Sequence, residues 1–316
     1  MTQRSFFQLF VIVFSLLFTG GIAMAAEETI PVQSQSHIPM IVDADTANEI
    51  DDLYAIVRAL LEPRFDIKGL SSAQWTHRLS PSNTVLLSQE LNEDILRLMG
   101  RVDIPSPVGA EMIMGKPWGG TEPRNSAAAQ LIIKTAREMP DGEKLTVACL
   151  GAVTNLASAI KLAPDIKPKV ACYILSGKFY PNRKVWDKDE FNSRNDLNAG
   201  NFLFNSEGLE LHVMPVNILY DFKFDRDETL GRLRGEGGIW DYLATRWLTH
   251  SPSSEKWIFW DLALIEALAR PELAEQDKFM TPPENTQREI FVYTDVQEEA
   301  MQADWWEVVE KAQRDE

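Results

Sequence analysis

Residues 39–54 constrain this chain more than any other stretch, because a short apolar run there is followed by a crowd of acids. The apolar run 40–42 has the length of a buried strand, and an apolar pattern with helical spacing starts at Leu53. The acids between them are Asp43, Asp45, Asp51 and Asp52. The pattern predicts a strand end, an acidic turn and a helix start, the place where open α/β sheets bind ligands.

Four carboxylates at one strand end repel one another, so a folded protein must compensate their charge. A hard divalent cation, which prefers oxygen ligands, would do so. The alternative is that Asp43 caps a turn while Asp51 and Asp52 favour the positive end of the helix dipole. The spacing does not fit an EF-hand, whose loop needs Gly at position six and Glu at position twelve. It also departs from the Asp-x-Asp-x-Thr/Val motif of haloacid dehalogenase phosphatases, because the last position is Ala47. We therefore predict a metal site here.

The first 25 residues have the pattern of a secretory signal peptide. Arg4 is their only charged residue, an apolar core follows it, and residues 23–25 form an Ala-x-Ala cleavage site. That core is short for a membrane span, and an uncleaved anchor is the alternative. We expect residues 26–316 to be the mature protein, periplasmic or secreted, with no membrane attachment after cleavage.

The formal net charge of −16 argues against nucleic acid as a partner, because binding its phosphates requires lysine and arginine. The only two cysteines, Cys149 and Cys172, each lie in an apolar, strand-like run. Neighbouring strands rarely offer good disulfide geometry, so we expect two free thiols.

Strand-like and helix-like patterns alternate along the rest of the chain. Further strands are predicted at 65–72, 145–150, 170–176, 209–215 and 288–294, with helices at 82–99, 126–139 and 196–205 among those between them. This alternation predicts an α/β fold, with a mostly parallel central sheet and helices on both faces. We expect one domain over residues 26–316, in which residues 222–254 form a lid or outer subdomain.

Four segments resemble motifs of the inosine-uridine preferring nucleoside hydrolase superfamily, in the family's order. They are the acidic turn 43–52, Leu-Gly-Ala-Val-Thr-Asn-Leu-Ala at 150–157, Glu-Phe-Asn-x3-Asp at 190–196, and Asp-Leu-Ala at 261–263. The acidic turn is two residues longer than the family's Asp-x-Asp-Pro-Gly-x-Asp-Asp. The His that precedes the family's last aspartate is replaced by Trp260.

The resemblance implies a Rossmann-like open sheet and a Ca²⁺ ion held by Asp45, Asp52, Asp261 and the carbonyl oxygen of Leu150. Such an all-oxygen set suits Ca²⁺. The resemblance also implies that Asp45 is the catalytic base, which takes a proton from the attacking water. The alternative for Asp261 is a helix cap.

The same resemblance implies that Asp51, Glu190 and Asn192 bind the ribose of a small-molecule nucleoside substrate. Their alternatives are a first-turn acid for Asp51 and loop polar residues for the other two. Trp260 would stack on the base, in a sandwich with another aromatic such as Trp75 or Trp240, or it would be a core residue. His77 is a possible but unsupported acid for the leaving base. Family members are often dimers or tetramers, so a homo-oligomer is possible.

Calcium-dependent hydrolysis of the N-glycosidic bond of ribonucleosides, or of a related N-riboside, is the function that the resemblance implies. A non-catalytic nucleoside- or ribose-binding protein on the same fold is the alternative, motivated by the altered turn and the missing His. A metal-dependent hydrolase of another glycoside or of a phosphoester is a third hypothesis, weakened by the lack of a basic phosphate clamp.

Overall fold

The structure is a computed structural model, and it describes residues 37–315. Its strands are β1 (Ile38–Ala44), β2 (Phe65–Ser72), β3 (Leu145–Cys149), β4 (Val170–Leu175), β5 (Lys178–Tyr180), β6 (Val185–Asp187), β7 (Glu210–Met214), β8 (Lys223–Asp225), β9 (Lys256–Ile258), β10 (Ala274–Met280) and β11 (Glu289–Val296). Its α-helices are α1 (Asp51–Leu61), α2 (Thr84–Leu98), α3 (Ala127–Glu138), α4 (Thr154–Leu162), α5 (Phe191–Asn195), α6 (Leu197–Phe204), α7 (Arg226–Leu233), α8 (Gly238–His250), α9 (Trp260–Ala269) and α10 (Glu298–Asp315).

Seven of these strands form the central sheet, in the order β10-β11-β7-β4-β3-β1-β2. Neighbouring strands run parallel from β11 to β2, and β10 is antiparallel at the edge. Successive residues of β1 face opposite sides, so Met40 and Val42 pack in one hydrophobic cluster and Ile41 in the other. Helices α1, α8, α9 and α10 contribute to the first cluster, and α3, α4 and α6 to the second. The predicted α/β fold is confirmed.

Helices α1 and α9 pack against each other, and both begin at the carboxyl edge of the sheet. A buried ion pair joins them, in which Arg58 Nε of α1 donates to Glu266 Oε1 of α9 at 2.8 Å. Arg58 also donates to Glu62 at 3.1 Å and to Asp304 at 2.7 Å, so it is the centre of a buried network. This network fixes α1 against α9, and the first turns of these two helices carry Asp51, Asp52 and Asp261.

The prediction that residues 222–254 form a lid or outer subdomain is wrong, because they belong to the same compact unit as the rest of the described chain. This segment contains β8, α7 and α8, and the large side chains of Trp240 and Trp247 on α8 are completely buried in the first hydrophobic cluster. The polar residues that suggested a lid form only the outer face of an amphipathic segment. Strand β10 was not predicted from the sequence, because this edge strand is mostly exposed and lacks an alternation of apolar residues.

All described residues belong to one compact unit. The predicted signal peptide, residues 1–25, lies outside them, and the single domain over 26–316 stays a prediction. Over residues 37–315, no helix combines the length and apolar character that crossing a bilayer requires. Cys149 and Cys172 are buried free thiols on neighbouring strands, as predicted.

Candidate active site

A cavity of about 240 Å³ opens at the carboxyl edge of the sheet, beside the starts of α1 and α9. Six of its lining residues are acidic, namely Asp45, Glu49, Asp51, Asp52, Glu190 and Asp261. The others are Asn48, Leu150, Leu175, Phe191, Asn192, Val216, Tyr220 and Trp260. All eight residues that the sequence proposed for catalysis, metal binding or substrate binding are in this set. The structure therefore brings together segments more than 200 residues apart.

Three aspartates from two helices converge at the base of this cavity. Carboxylate oxygens of Asp51, Asp52 and Asp261 lie within 4.8 Å of one another, and all three residues are buried. Asp261 lies in the first turn of α9, which has no side-chain cap hydrogen bond among the described residues. Its Oδ1 atom is buried without a hydrogen-bond partner there. The helix-cap alternative for Asp261 therefore fails.

Asp51 connects the two helices. Its Oδ2 atom accepts a hydrogen bond from the backbone N–H of Asp261 at 3.1 Å. Asp51 is thus more than an acid at the helix dipole, because it fixes where the chain enters α9. Burial raises its pKa to about 8, and the charge of Glu49 contributes.

Three carboxyl groups of the cavity are buried close to other acids, namely those of Asp45, Asp52 and Asp261. Burial raises the pKa of each carboxyl well above its ordinary value, and repulsion from neighbouring acids raises it further. Asp45 Oδ2, Asp52 Oδ1 and Asp261 Oδ1 are all buried with no partner in the described part of the chain. Buried polar atoms are normally paired, so three orphaned oxygens in one cavity are the expected ligands of a hard cation. The donor types fit a metal ion. The carboxylates that lie within 4.8 Å of one another are those of Asp51, Asp52 and Asp261, so among the described residues the predicted ligand Asp45 is outside this close group and Asp51 is inside it.

Ser71 and Asn155 hold Asp43 in place, and Gly151 lies close against Asp45. Asp43 does not line the cavity; it accepts hydrogen bonds from Ser71 Oγ at 2.6 Å and from Asn155 Nδ2 at 2.9 Å. Its role is therefore to orient the turn. A Cβ atom at Gly151 would lie 2.6 Å from Asp45 Oδ1, so only glycine lets the chain after β3 approach this carboxylate.

Leu150 lines the same cavity. Asn192 Nδ2 donates to this carbonyl oxygen at 2.6 Å and to that of Leu175 at 3.2 Å. A carbonyl oxygen has two lone pairs, so one remains for another partner. Glu190 caps α5 by accepting from the backbone N–H groups of Asn192 and Ser193 at 2.8 and 2.9 Å. Both predicted ribose contacts therefore also stabilise this part of the cavity wall.

The aromatic neighbour of Trp260 is Tyr220, with ring centroids 5.8 Å apart and rings nearly perpendicular. The suggested sandwich partners were wrong. Trp240 is a fully buried core residue, and Trp75 donates from its indole to Ser88 Oγ. Sequence patterns had no means of placing Tyr220, because it follows β7 in a segment with no motif.

No histidine lines the cavity, nor does lysine or arginine, among residues 37–315. His77 stacks on Trp75 and is exposed, so it does not supply an acid to this cavity. Glu49 is the acidic residue that the sequence reading missed. Its signal was present, because the longer acidic turn adds residues between Asp45 and Asp51.

The family comparison covers nearly all described residues, since a model of the inosine-uridine preferring nucleoside hydrolase family matches residues 40–314. Among curated relatives, the pyrimidine-specific ribonucleoside hydrolase RihA of Citrobacter koseri is 27% identical over 263 residues, 75% of this chain and 80% of that protein. RihA of Escherichia coli O139:H28 is also 27% identical, over 75% of this chain and 81% of its own length.

Solved structures share the fold. An inosine-guanosine nucleoside hydrolase aligns with a TM-score of 0.69 at 19% identity, covering 87% of this chain and 99% of its own. An inosine-uridine preferring nucleoside hydrolase from Bacillus anthracis aligns with a TM-score of 0.65 at 18% identity, covering 87% and 99%. The buried acidic cluster agrees with the metal dependence of this family. The chain therefore belongs to the inosine-uridine preferring nucleoside hydrolase family, whose members are hydrolases that act on N-glycosyl bonds.

Proposed function

We propose that this protein is a calcium-dependent N-ribosyl hydrolase that cleaves ribonucleosides, or related N-ribosides, into free base and ribose. The observation that carries the proposal is the set of three orphaned, buried carboxylate oxygens of Asp45, Asp52 and Asp261 in one cavity. With the carbonyl oxygen of Leu150, they form an all-oxygen donor set of the kind that Ca²⁺ prefers over softer metals.

The reaction joins a water oxygen to C1′ of the sugar and breaks the C1′–N bond. Its transition state resembles an oxocarbenium ion. When bound, a divalent cation supplies Lewis acidity that makes water easier to deprotonate. Asp45 is the base in this proposal, because its carboxylate lines the same cavity, where it can contact both the ion and the attacking water.

Asp51, Glu190 and Asn192 are proposed to hold the ribose hydroxyls. Their polar groups face the same cavity, and the hydrogen bonds described above restrict their motion. A site that is built to bind a hydroxyl rejects an analogue lacking it, because the buried polar group then stays unpaired. Trp260 and Tyr220 supply an aromatic wall against which a planar base can pack.

Ribose release tests the function directly. Purified protein is incubated with inosine, uridine, adenosine and cytidine in Ca²⁺, and reducing sugar is measured against time. We expect ribose and free base in equal amounts from at least one substrate. Binding across the panel without release would instead favour the non-catalytic binding protein, which the altered acidic turn and Trp260 in place of the family's His motivate.

Export to the periplasm or beyond is also part of the proposal. It is supported by the positive start, the short apolar core and the Ala-x-Ala sequence of residues 1–25. N-terminal sequencing of protein from a periplasmic extract, beginning near residue 26, is the expected result.

A further inference from the structure

Two polar contacts join helices α1 and α9, and they lie at different heights along the helix pair. At the start of the helices, Asp51 Oδ2 accepts from the backbone N–H of Asp261 at 3.1 Å. Further along, Arg58 Nε donates to Glu266 Oε1 at 2.8 Å. Asp51 and Arg58 are close to two helical turns apart, so they lie on the same face of α1, about 10 Å apart along its axis. Two such points fix both the slide and the crossing angle of the helices.

The second contact belongs to a network that also includes α10. The two other guanidinium nitrogens of Arg58 donate to Glu62, just after α1, and to Asp304 on α10. Arg270, just after α9, donates to the same two carboxylates at 2.9 and 2.7 Å. Three helices are therefore held together by directional contacts on the side of the sheet where α1 and α9 pack.

Fold stability alone does not account for the buried pair. The side chains of Arg58 and Glu266 are completely buried, so both lose their hydration. A buried ion pair can often be replaced by apolar residues of similar volume without loss of stability. Apolar packing is non-directional, however, whereas hydrogen bonds from a guanidinium group fix a distance and an angle. What the pair adds to apolar packing is a fixed register of α1 against α9.

The metal site depends on that register. Asp51 and Asp52 begin α1, Asp261 lies in the first turn of α9, and their carboxylate oxygens lie within 4.8 Å of one another. Without an ion these acids repel one another and push the helix starts apart. Calcium accepts oxygen ligands only at about 2.3–2.6 Å. Packed helices can shift by about 1–2 Å, which is more than this range allows.

We propose that Arg58 and Glu266 are positioning residues for the metal site. Their buried pair holds α9 in register with α1, so that Asp261 meets Asp51 and Asp52 at the spacing that binds an ion. Neither Arg58 nor Glu266 lines the cavity, and both act through the helices that carry the aspartates. The inference rests on the metal-dependent function proposed above.

Calcium affinity of a variant that removes the pair without leaving a charge tests the proposal. Arg58→Met/Glu266→Met should fold, with a Tm no more than about 5 °C below that of the wild type. We expect its Kd for calcium, measured by calorimetry, to be about tenfold or more weaker. Glu266→Gln keeps an acceptor for Arg58 Nε, so it should keep the Kd within about threefold.

The matched control removes an ion pair elsewhere. Arg137 on α3 pairs with Asp165 at 2.8 Å on the protein surface, and Arg137→Met/Asp165→Met should leave the calcium Kd unchanged. A folded Arg58→Met/Glu266→Met protein with the wild-type Kd would overturn the proposal. If this double variant does not fold, Glu266→Met replaces it in the same comparison, because Arg58 then keeps Glu62 and Asp304 as partners.

Hydrogen exchange in calcium-free protein gives a readout that needs neither turnover nor an ion. The amide of Asp261 donates to Asp51, so its exchange reports whether the helix starts stay together. We expect faster exchange at Asp261 in Arg58→Met/Glu266→Met than in the wild type or the Arg137 control, and equal exchange would overturn the proposal. A wild-type protein that binds no calcium would overturn the metal site and the proposed function instead, and the exchange comparison would still decide the role of Arg58 and Glu266.

Discussion

Replacing Asp261 by Asn tests the metal site, because the proposal predicts opposite effects on the stability of the calcium-free protein and on the stabilisation by calcium. In the calcium-free protein, Asp261 adds negative charge to a buried cluster in which its carboxylate oxygen lies within 4.8 Å of those of Asp51 and Asp52. Asparagine has nearly the same shape but no charge. We expect Asp261→Asn to stabilise the calcium-free protein while removing most of the stabilisation that calcium gives.

The size of the expected change in the free energy of unfolding follows from the spacing of the carboxylate oxygens. At an effective dielectric constant of 20, two unit charges 4.8 Å apart repel by about 3.5 kcal/mol. The acids share protons at neutral pH, which leaves a gain on the order of 1 kcal/mol for the variant. A ligand at a hundred times its Kd stabilises a folded protein by about 2.7 kcal/mol, which is the gain that the proposal predicts for calcium and the wild type. With about 2–3 °C per kcal/mol for a chain of this size, the wild-type Tm should rise by about 5–8 °C on adding calcium.

The stability of the calcium-free protein should decrease as the pH rises. The pKa of Asp261 is raised in the folded, calcium-free state, so the folded chain holds a proton that the unfolded chain releases. Its stability therefore falls as the pH rises above the ordinary value of 3.8, and the loss continues up to the raised pKa. The decrease should be smaller in Asp261→Asn.

Thermal unfolding with chelator and with calcium measures these shifts. The matched control is Asp196→Asn, because Asp196 is also buried but accepts hydrogen bonds from Met114 N, Thr154 Oγ1 and Ala199 N. This control should lower the Tm in both conditions and keep the calcium shift. If Asp261→Asn also lowers the calcium-free Tm and keeps the full calcium shift, the metal-ligand reasoning is refuted.

Four further predictions concern turnover. Asp45→Asn should lower kcat by about 10²–10⁴-fold while the circular dichroism stays native, and near-normal rates would show that the base lies elsewhere. Gly151→Ala should lower kcat by at least about tenfold, because the new Cβ displaces Asp45, whereas Gly200→Ala, where nothing lies within 4 Å of the new Cβ, should not. Trp260→Ala should raise KM for inosine more than for uridine, by about 2–10-fold, since a purine offers more stacking area; equal changes would remove the stacking role. Nucleoside 5′-monophosphates should be hydrolysed far more slowly than their nucleosides, because no cationic side chain within residues 37–315 lines the cavity; comparable rates for UMP and uridine would contradict this.

The acidic turn could be predicted from the sequence because several local patterns indicate the same structure there. The apolar run before Asp43 and the helical spacing after Asp52 fixed a strand–turn–helix, and parallel sheets place such turns at one edge. Asp261 was identified only through its motif, since nothing local indicates that α9 starts beside α1. The buried Arg58–Glu266 pair that joins these helices also lies beyond local pattern reading, because its partners are 208 residues apart.

The cavity wall was harder to predict. Tyr220 carries no pattern of its own, and its position follows from how the loops fold over the sheet. Glu49 belongs to the longer acidic turn, but nothing local in the sequence shows that it lines the cavity. Trp240 was misplaced because a tryptophan has the same sequence appearance in a core and in a binding site. The exposed edge strand β10 was missed because its sequence consists largely of charged and polar residues, with no buried face to impose alternation.

Calcium titration of chelator-treated protein, with ribose release as the readout, tests the central claim most directly. The claim is that Asp45, Asp52 and Asp261 bind the ion on which hydrolysis depends. We expect no ribose release without divalent ions, and activity that rises with calcium until one ion is bound per chain. Full activity in protein shown by elemental analysis to contain no metal would contradict the account.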